Sequence, residues 1–188
     1  MRNIGNQRLN GLLPMIHVCG DMERVPQISS TIMLAILRSV CIGSFDGTSY
    51  GPPHEKCGIL RGRGNRITEA MSARNVSPTP TTAFEIDPAA LIRAHQLARR
   101  RGGLAILGYF HTHPVGDASP SIRDAAGAMP DGLLWLIASR TEAKLWRAVD
   151  NGVVHGRFDP VVFDLKVGNR CAQRVGGGDA AIAGAQGS

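Results

Sequence analysis

Leu104-Ala-Ile-Leu-Gly-Tyr-Phe-His111-Thr-His113, continued by Pro114-Val-Gly-Asp-Ala-Ser-Pro-Ser121-Ile-Arg-Asp124, is the stretch that decides the fold of this chain. Leu104 to Phe110 is almost continuously apolar, the pattern of a strand buried on both faces and therefore central in a sheet covered on each side. Side chains alternate along a strand, so His111 and His113 at its end point to the same face and can grip one ion from one side. A loop from Pro114 to Ala118 follows. A short helix begins at Ser119-Pro120 and ends near Met129-Pro130, and within it Ser121 and Asp124 stand one turn apart on a shared face.

Those residue types carry a chemistry. Two imidazoles and one carboxylate (His111, His113 and Asp124) leave the fourth position of a tetrahedral Zn2+ site free for water, the arrangement of a catalytic rather than a structural zinc. Water on such an ion is acidified enough to attack near neutral pH. Hydrolysis then needs a base that takes the proton and passes it to the leaving group. Glu55, just ahead of the apolar segment that starts at Cys57, is the candidate base. The Ser121 hydroxyl is the candidate for holding a developing oxyanion.

Working outward, Asp87-Pro88 opens a helix, with Asp as N-cap and Pro at the first helical position, that runs to about Arg101 and stops at Gly102-Gly103. Cys57 to Leu60 and Arg66 to Val76 read as strands around a turn at Arg61-Gly-Arg-Gly-Asn65. A Ser/Thr/Pro loop, Ser77 to Thr82, leads to Phe84 and Ile86. Ile28, Ile32, Ile36 and Val40 recur every fourth residue, so a first amphipathic helix is expected, capped by Ser29 or Ser30 and ending near Gly43. A polar loop, Ser44 to Pro53, follows it. Downstream come strands at Leu133 to Ser139, Lys144 to Val149 and Val153 to Phe158, with Asn151-Gly152 as the hairpin signal between the last two. Mixed elements with antiparallel strands at the end predict an α+β fold, an α/β/α sandwich with a central mixed sheet flanked by helices. The expected organisation is an extension over residues 1–26, one domain over 27–166, and a Gly/Ala-rich flexible tail over 167–188.

At 188 residues, 43% hydrophobic and 19% charged, the chain has the balance of a globular protein long enough to bury a core. Its formal charge of +6 invites a nucleic-acid surface. The basic residues are scattered, however, and the one dense run, Arg99-Arg100-Arg101, closes a helix, where cations oppose the helix dipole. No aromatic residues interleave with them as a stacking platform, so solvated charge is expected and no nucleic-acid partner. No apolar run approaches the roughly 18 residues of a membrane span, which predicts no membrane partner. Gly11 to Cys19 is interrupted by Pro14 and His17 and lacks a small residue before Cys19, which argues against a signal peptide or lipoprotein cleavage site. Cys19, Cys41, Cys57 and Cys171 form no CxxC pair, so reduced thiols and a cytoplasmic location are expected.

The motif resembles a known family. Glu55, then His111-Thr112-His113, seven intervening residues, and Ser121-Ile122-Arg123-Asp124 is similar to the signature of the JAB/MPN (JAMM) metallopeptidases. Pro53-His-Glu55-Lys-Cys57-Gly58 and Gly108-Tyr-Phe-His111 resemble the segments around that family's glutamate and histidines. The resemblance covers about residues 28 to 165. It implies a cytidine-deaminase-like fold and a zinc hydrolase that cuts amide bonds next to the C-terminal Gly-Gly of ubiquitin-like proteins. By the same match His111, His113 and Asp124 would be metal ligands, Glu55 the general base and Ser121 the oxyanion stabiliser. Only about ten residues separate Asp124 from the next strand, which is similar to the compact prokaryotic branch. A sulfur carrier of the ThiS/MoaD sort with a Gly-Gly tail is then the expected partner in place of ubiquitin.

Each residue also has a plainer reading. A lone Glu is usually a surface charge, Asp117 is a turn former, and Cys57 is a small buried apolar residue. His17, His54, His95 and His155 have no partner spacing and are assigned nothing. Two other functions fit parts of the pattern. One is a RadC-like protein, which shares a His-x-His-Pro stretch followed by Gly-Asp; the other is a non-catalytic MPN scaffold. No helix-hairpin-helix DNA module precedes residue 28, and all five motif residues are kept, so catalysis is the favoured expectation.

Overall fold

The computed structural model describes residues 24–41 and 53–167. Most of the expected extension and tail, the loop 44–52, and Cys19 and Cys171 lie outside the described residues. The chain runs β1 (Gln27–Ser29), α1 (Ser30–Cys41), β2 (Cys57–Arg63), β3 (Arg66–Ala73), α2 (Pro88–Ala98), β4 (Ala105–Thr112), α3 (Ile122–Gly127), β5 (Leu134–Ala138), β6 (Ala143–Gly152), β7 (Gly156–Val161) and β8 (Asp164–Lys166). All eight strands form one mixed sheet in the order β7-β6-β5-β4-β2-β3-β1-β8. β4 lies near its middle, antiparallel to β2 and parallel to β5.

Alternation along these strands builds two faces. On one, Leu60, Phe110, Leu134, Leu136 and Leu145 pack under Met33, Ile36 and Val40 of α1. On the other, Cys57 and Ile59 meet Ala94 of α2, while Trp135, Ile137, Trp146 and Phe158 meet Ala125 of α3. Helices thus cover both sides of the sheet, giving the α+β sandwich that the sequence predicts. The parallel pairing of β4 with β5 depends on a missing side chain, because a Cβ on Gly108 would fall on the Leu134 carbonyl. Among the described residues no helix is long and apolar enough to cross a membrane.

Several boundaries differ from expectation. Ile28 is fully buried, but in β1 rather than in the first helix. It pairs parallel with Ile67 of β3 and Leu165 of β8, and α1 starts only at Ser30. Asn151-Gly152 is not the β6–β7 turn. It is an irregularity inside β6, where Asn151 adopts φ 56°, and the reversal comes at 153–155 with His155 at φ 51°. Gly152 is required there because a Cβ would strike the Arg157–Phe158 backbone. Helix α2 ends at Ala98, so the arginine triplet follows the helix, with Arg99 as its C-cap. The short helix is trimmed to 122–127, with Ser121 as N-cap. Asp87 caps α2 as expected, accepting the Ala89 amide at 2.9 Å.

Candidate metal centre

The last residues of β4 lead into the site. His111 is completely buried and pairs across the ladder with Cys57 of β2 and Ile137 of β5. His113 lies just past the strand, but its amide still donates to the Ala138 carbonyl at 2.8 Å, so strand geometry persists. The two rings therefore share a face, with their Nε2 atoms 3.0 Å apart.

Helix α3 brings in Asp124. Ser121 is the N-cap and Asp124 the third helical residue of a capping box. Ser121 Oγ accepts the Asp124 amide at 3.1 Å, and Asp124 Oδ2 accepts the Ser121 amide at 2.7 Å. The carboxylate is thereby turned toward both rings: Oδ1 is 3.3 Å from His111 Nε2 and Oδ2 is 3.7 Å from His113 Nε2. The second distance is that of an ion pair rather than a hydrogen bond.

Glu55 approaches from the segment before β2. It is only 7% exposed, and its carboxylate and one nitrogen of each histidine all lie within 4.8 Å of one another. Two carboxylates thus flank the imidazole pair, with Asp124 in contact with both rings.

The loop between His113 and Ser121 is fastened from several sides. The Asp117 carbonyl is 2.8 Å from His113 Nδ1, and its side chain accepts the Ser119 amide at 2.9 Å, the turn role the sequence suggested. Trp146 Nε1 donates to the Ala118 carbonyl at 2.9 Å, Glu142 accepts the Ala118 amide at 3.2 Å, and His155 Nε2 is 3.1 Å from the Pro120 carbonyl.

These contacts decide where protons sit. A carbonyl can only accept, so Asp117 fixes the proton of a neutral His113 on Nδ1 and leaves the Nε2 lone pair facing inward. Burial pushes the Glu55 carboxyl up to about 7, partly offset by nearby His113. Burial also pulls His111 below its ordinary value despite neighbouring Asp124. For Asp124 burial acts upward, but His111, His113 and the Ser121 amide outweigh it and hold the carboxyl well below the usual range. His113 ends above its ordinary value, because Asp124, the Asp117 carbonyl and Glu55 overcome the effect of its burial.

A divalent ion fits this donor set. The Nε2 atoms of His111 and His113 and the Asp124 carboxylate point at one another across 3.0 to 3.7 Å, a convergence of donor atoms that a cation would hold once it displaces their protons. Two nitrogens on one tetrahedral zinc are about 3.3 Å apart, close to the spacing here. His111 Nδ1 is buried and has no hydrogen-bond partner among the described residues. Its ring is instead held by Phe84, stacked at 4.2 Å and 19°, and by Trp135, edge-on at 6.0 Å.

All five residues singled out in the sequence are therefore found at one end of β4. Ser121 is observed as the cap that orients Asp124. Asn75, Phe84, Trp146 and His155 escaped sequence reasoning. Asn75 fell inside the strand expected over Arg66 to Val76, which ends at Ala73, and neither it nor the others carried a signal of these contacts. Cys57 is a buried free thiol whose burial pushes it up to about 12, matching the reading as an inert core residue.

The family of prokaryotic homologs of the JAB domain matches residues 48–150, more than half of the chain. The desampylase of Haloferax volcanii is 33% identical over 96 residues, 50% of this chain and 68% of that protein. A probable TtuB-protein conjugate cleaving protease of Thermus thermophilus is 42% identical over 72 residues, 38% of this chain and 47% of that protein. The matched stretch thus spans about half to two thirds of these relatives. The solution structure of a protein from Desulfitobacterium hafniense shares the fold with a TM-score of 0.61 at 25% identity, covering 76% of this chain and 93% of that one. With its mixed sheet between helices and its match from residue 48 to 150, the chain belongs to the prokaryotic JAB family.

Proposed function

We propose that this chain is a zinc-dependent isopeptidase that hydrolyses the amide bond after the C-terminal Gly-Gly of a ubiquitin-like protein of the sulfur-carrier type. The observation that carries the reading is the convergence of His111 Nε2, His113 Nε2 and the Asp124 carboxylate beside a buried Glu55. The similarity to a desampylase and to a conjugate-cleaving protease supports the substrate class.

His111, His113 and Asp124 would hold the ion, which when bound supplies a water acidified for attack. Glu55 acts as general base. Its carboxylate, buried within 4.8 Å of a nitrogen of each histidine, is placed to take a proton from the attacking water and return it to the leaving amine. The Ser121 hydroxyl accepts from the Asp124 amide and keeps its own proton to donate to the oxyanion. Burial of His111, Glu55 and Asp124 strengthens each of these interactions.

The test is zinc content by elemental analysis of wild type and Asp124→Ala, with cleavage of a Gly-Gly-linked conjugate by wild type and Glu55→Gln. One zinc per chain that Asp124→Ala loses, with Glu55→Gln loaded but inactive, is the expected result. Wild type without metal after zinc is added back would turn the reading to a partner-binding scaffold.

A further inference from the structure

Asn75 stands outside the five motif residues, just past β3, and its side chain saturates every hydrogen-bonding position it has. Nδ2 donates to the Glu55 carbonyl at 3.0 Å and to the Ala83 carbonyl at 2.9 Å. Oδ1 accepts the Ser77 and Glu85 amides, each at 3.0 Å. An amide has two donors and two acceptor lone pairs, so nothing is left over, and partners of fixed polarity dictate its orientation.

Three of the four partners, Glu55, Ala83 and Glu85, belong to the two strips of backbone that flank the centre, while Ser77 follows Asn75 along its own loop. One carries Glu55, whose own amide donates to the Pro80 carbonyl at 2.7 Å. The other, 83–85, carries Phe84, stacked on His111. His111 has no hydrogen bond on Nδ1 among the described residues, so this stack does the orienting that a second hydrogen bond ordinarily does for a metal-binding histidine. Backbone bonds from Val76 to Glu85 and from Asp87 to Arg74 close the strip on either side, which makes Asn75 the pivot of a short loop rather than a surface decoration.

We infer that Asn75 is a positioning residue that sets the Glu55 segment and the Phe84–His111 stack through one amide, coupling the base to the metal site. The inference rests on the proposed zinc chemistry, and zinc binding and hydrolysis are therefore read separately. Asn75→Asp is nearly isosteric but turns a carboxylate oxygen against the Glu55 and Ala83 carbonyls, so shape is kept while polarity is wrong. Zinc affinity by competition with a chromogenic chelator, and kcat and KM on a conjugate, are measured for wild type, Asn75→Asp, Phe84→Leu and Phe84→Tyr.

Asn75→Asp is expected to bind zinc and turn over about 10- to 100-fold more weakly, the usual effect of losing a supporting partner, with KM little changed. Phe84→Leu should lose zinc affinity alike, and Phe84→Tyr should restore it. Should Asn75→Asp not fold, the Phe84 pair decides the matter, because Phe84 lies at the far end of the same linkage. Folded Asn75→Asp with wild-type zinc affinity and kcat overturns the inference, as does Phe84→Leu with wild-type zinc affinity. Wild type that binds no zinc would instead overturn the proposed function.

Discussion

The Asp124 carboxylate takes the Ser121 amide at 2.7 Å while the Ser121 hydroxyl takes the Asp124 amide at 3.1 Å, so one residue caps the helix and aims the other. Ser121 therefore combines an observed structural role with a proposed catalytic one, and two substitutions separate them. Ser→Ala at an N-cap costs about 1 kcal/mol, whereas Ser→Gly costs only a few tenths. Both remove the hydroxyl. Ser121→Ala and Ser121→Gly should thus differ in urea stability yet lose kcat equally, by roughly 10²- to 10³-fold for one oxyanion donor. A kcat loss that instead tracks stability would reduce Ser121 to its cap.

Glu55 makes the metal-free protein sensitive to pH. Its folded carboxyl is raised to about 7 from 4.5, mainly by burial, so the folded state holds this proton more tightly than the unfolded chain. The unfolded chain then binds fewer protons between those values, and stability falls as pH rises from about 4.5 to about 7. The full cost above pH 7 is on the order of 3 kcal/mol. Chelator-treated Glu55→Gln should consequently be more stable than chelator-treated wild type at pH 8, with the gap closing at pH 4 to 5. Denaturant unfolding at both pH values checks this; equal stability at pH 8 would mean that ionised Glu55 is better solvated than its burial implies.

His113 gives zinc binding the opposite slope. Despite burial, Asp124 and the Asp117 carbonyl raise it above its ordinary value, so it keeps a proton to higher pH than a free imidazole. A metal must displace that proton. Zinc affinity should therefore rise with pH through the His113 titration, and binding near pH 6.5 should release protons. Calorimetry in two buffers of different ionisation enthalpy reads the release directly, and heats independent of buffer would refute it.

What could be read in the sequence was whatever depends on neighbours along the chain. The shared face of His111 and His113 follows from strand alternation, and the Ser121–Asp124 pairing from one helical turn. Asp87-Pro88 announced α2 for the same reason. Contacts made across the sheet left no local trace. Ile28 continues the four-residue spacing of α1, yet its pairing with Ile67 and Leu165 draws it into a strand. Strand β8, which returns to β1 from far along the chain, carries no periodic signal over three residues. Asn151-Gly152 has hairpin chemistry, and its positive φ was used, but for an irregularity within β6. Asn75 reads as one more residue near the end of an expected strand until residues 55, 77, 83 and 85 are brought around it.

Trp146 extends that lesson to the loop that carries Asp117. Its indole N–H is buried and donates to the Ala118 carbonyl at 2.9 Å, across 28 residues of sequence. Trp146→Phe keeps most of the ring that packs against Trp135, Ala125 and Phe158 but leaves that carbonyl without its donor. An unsatisfied buried acceptor costs roughly 1 to 3 kcal/mol, a loss that denaturant unfolding of the metal-free protein should register. Ala118 follows Asp117, whose carbonyl fixes the His113 ring, so a loosened loop also frees that ring. Zinc affinity should fall together with stability, and the zinc-loaded protein should show the larger deficit, because ligand stabilisation scales with affinity. A variant that lost stability with zinc affinity intact would show that Glu142 and His155 hold the loop without the tryptophan.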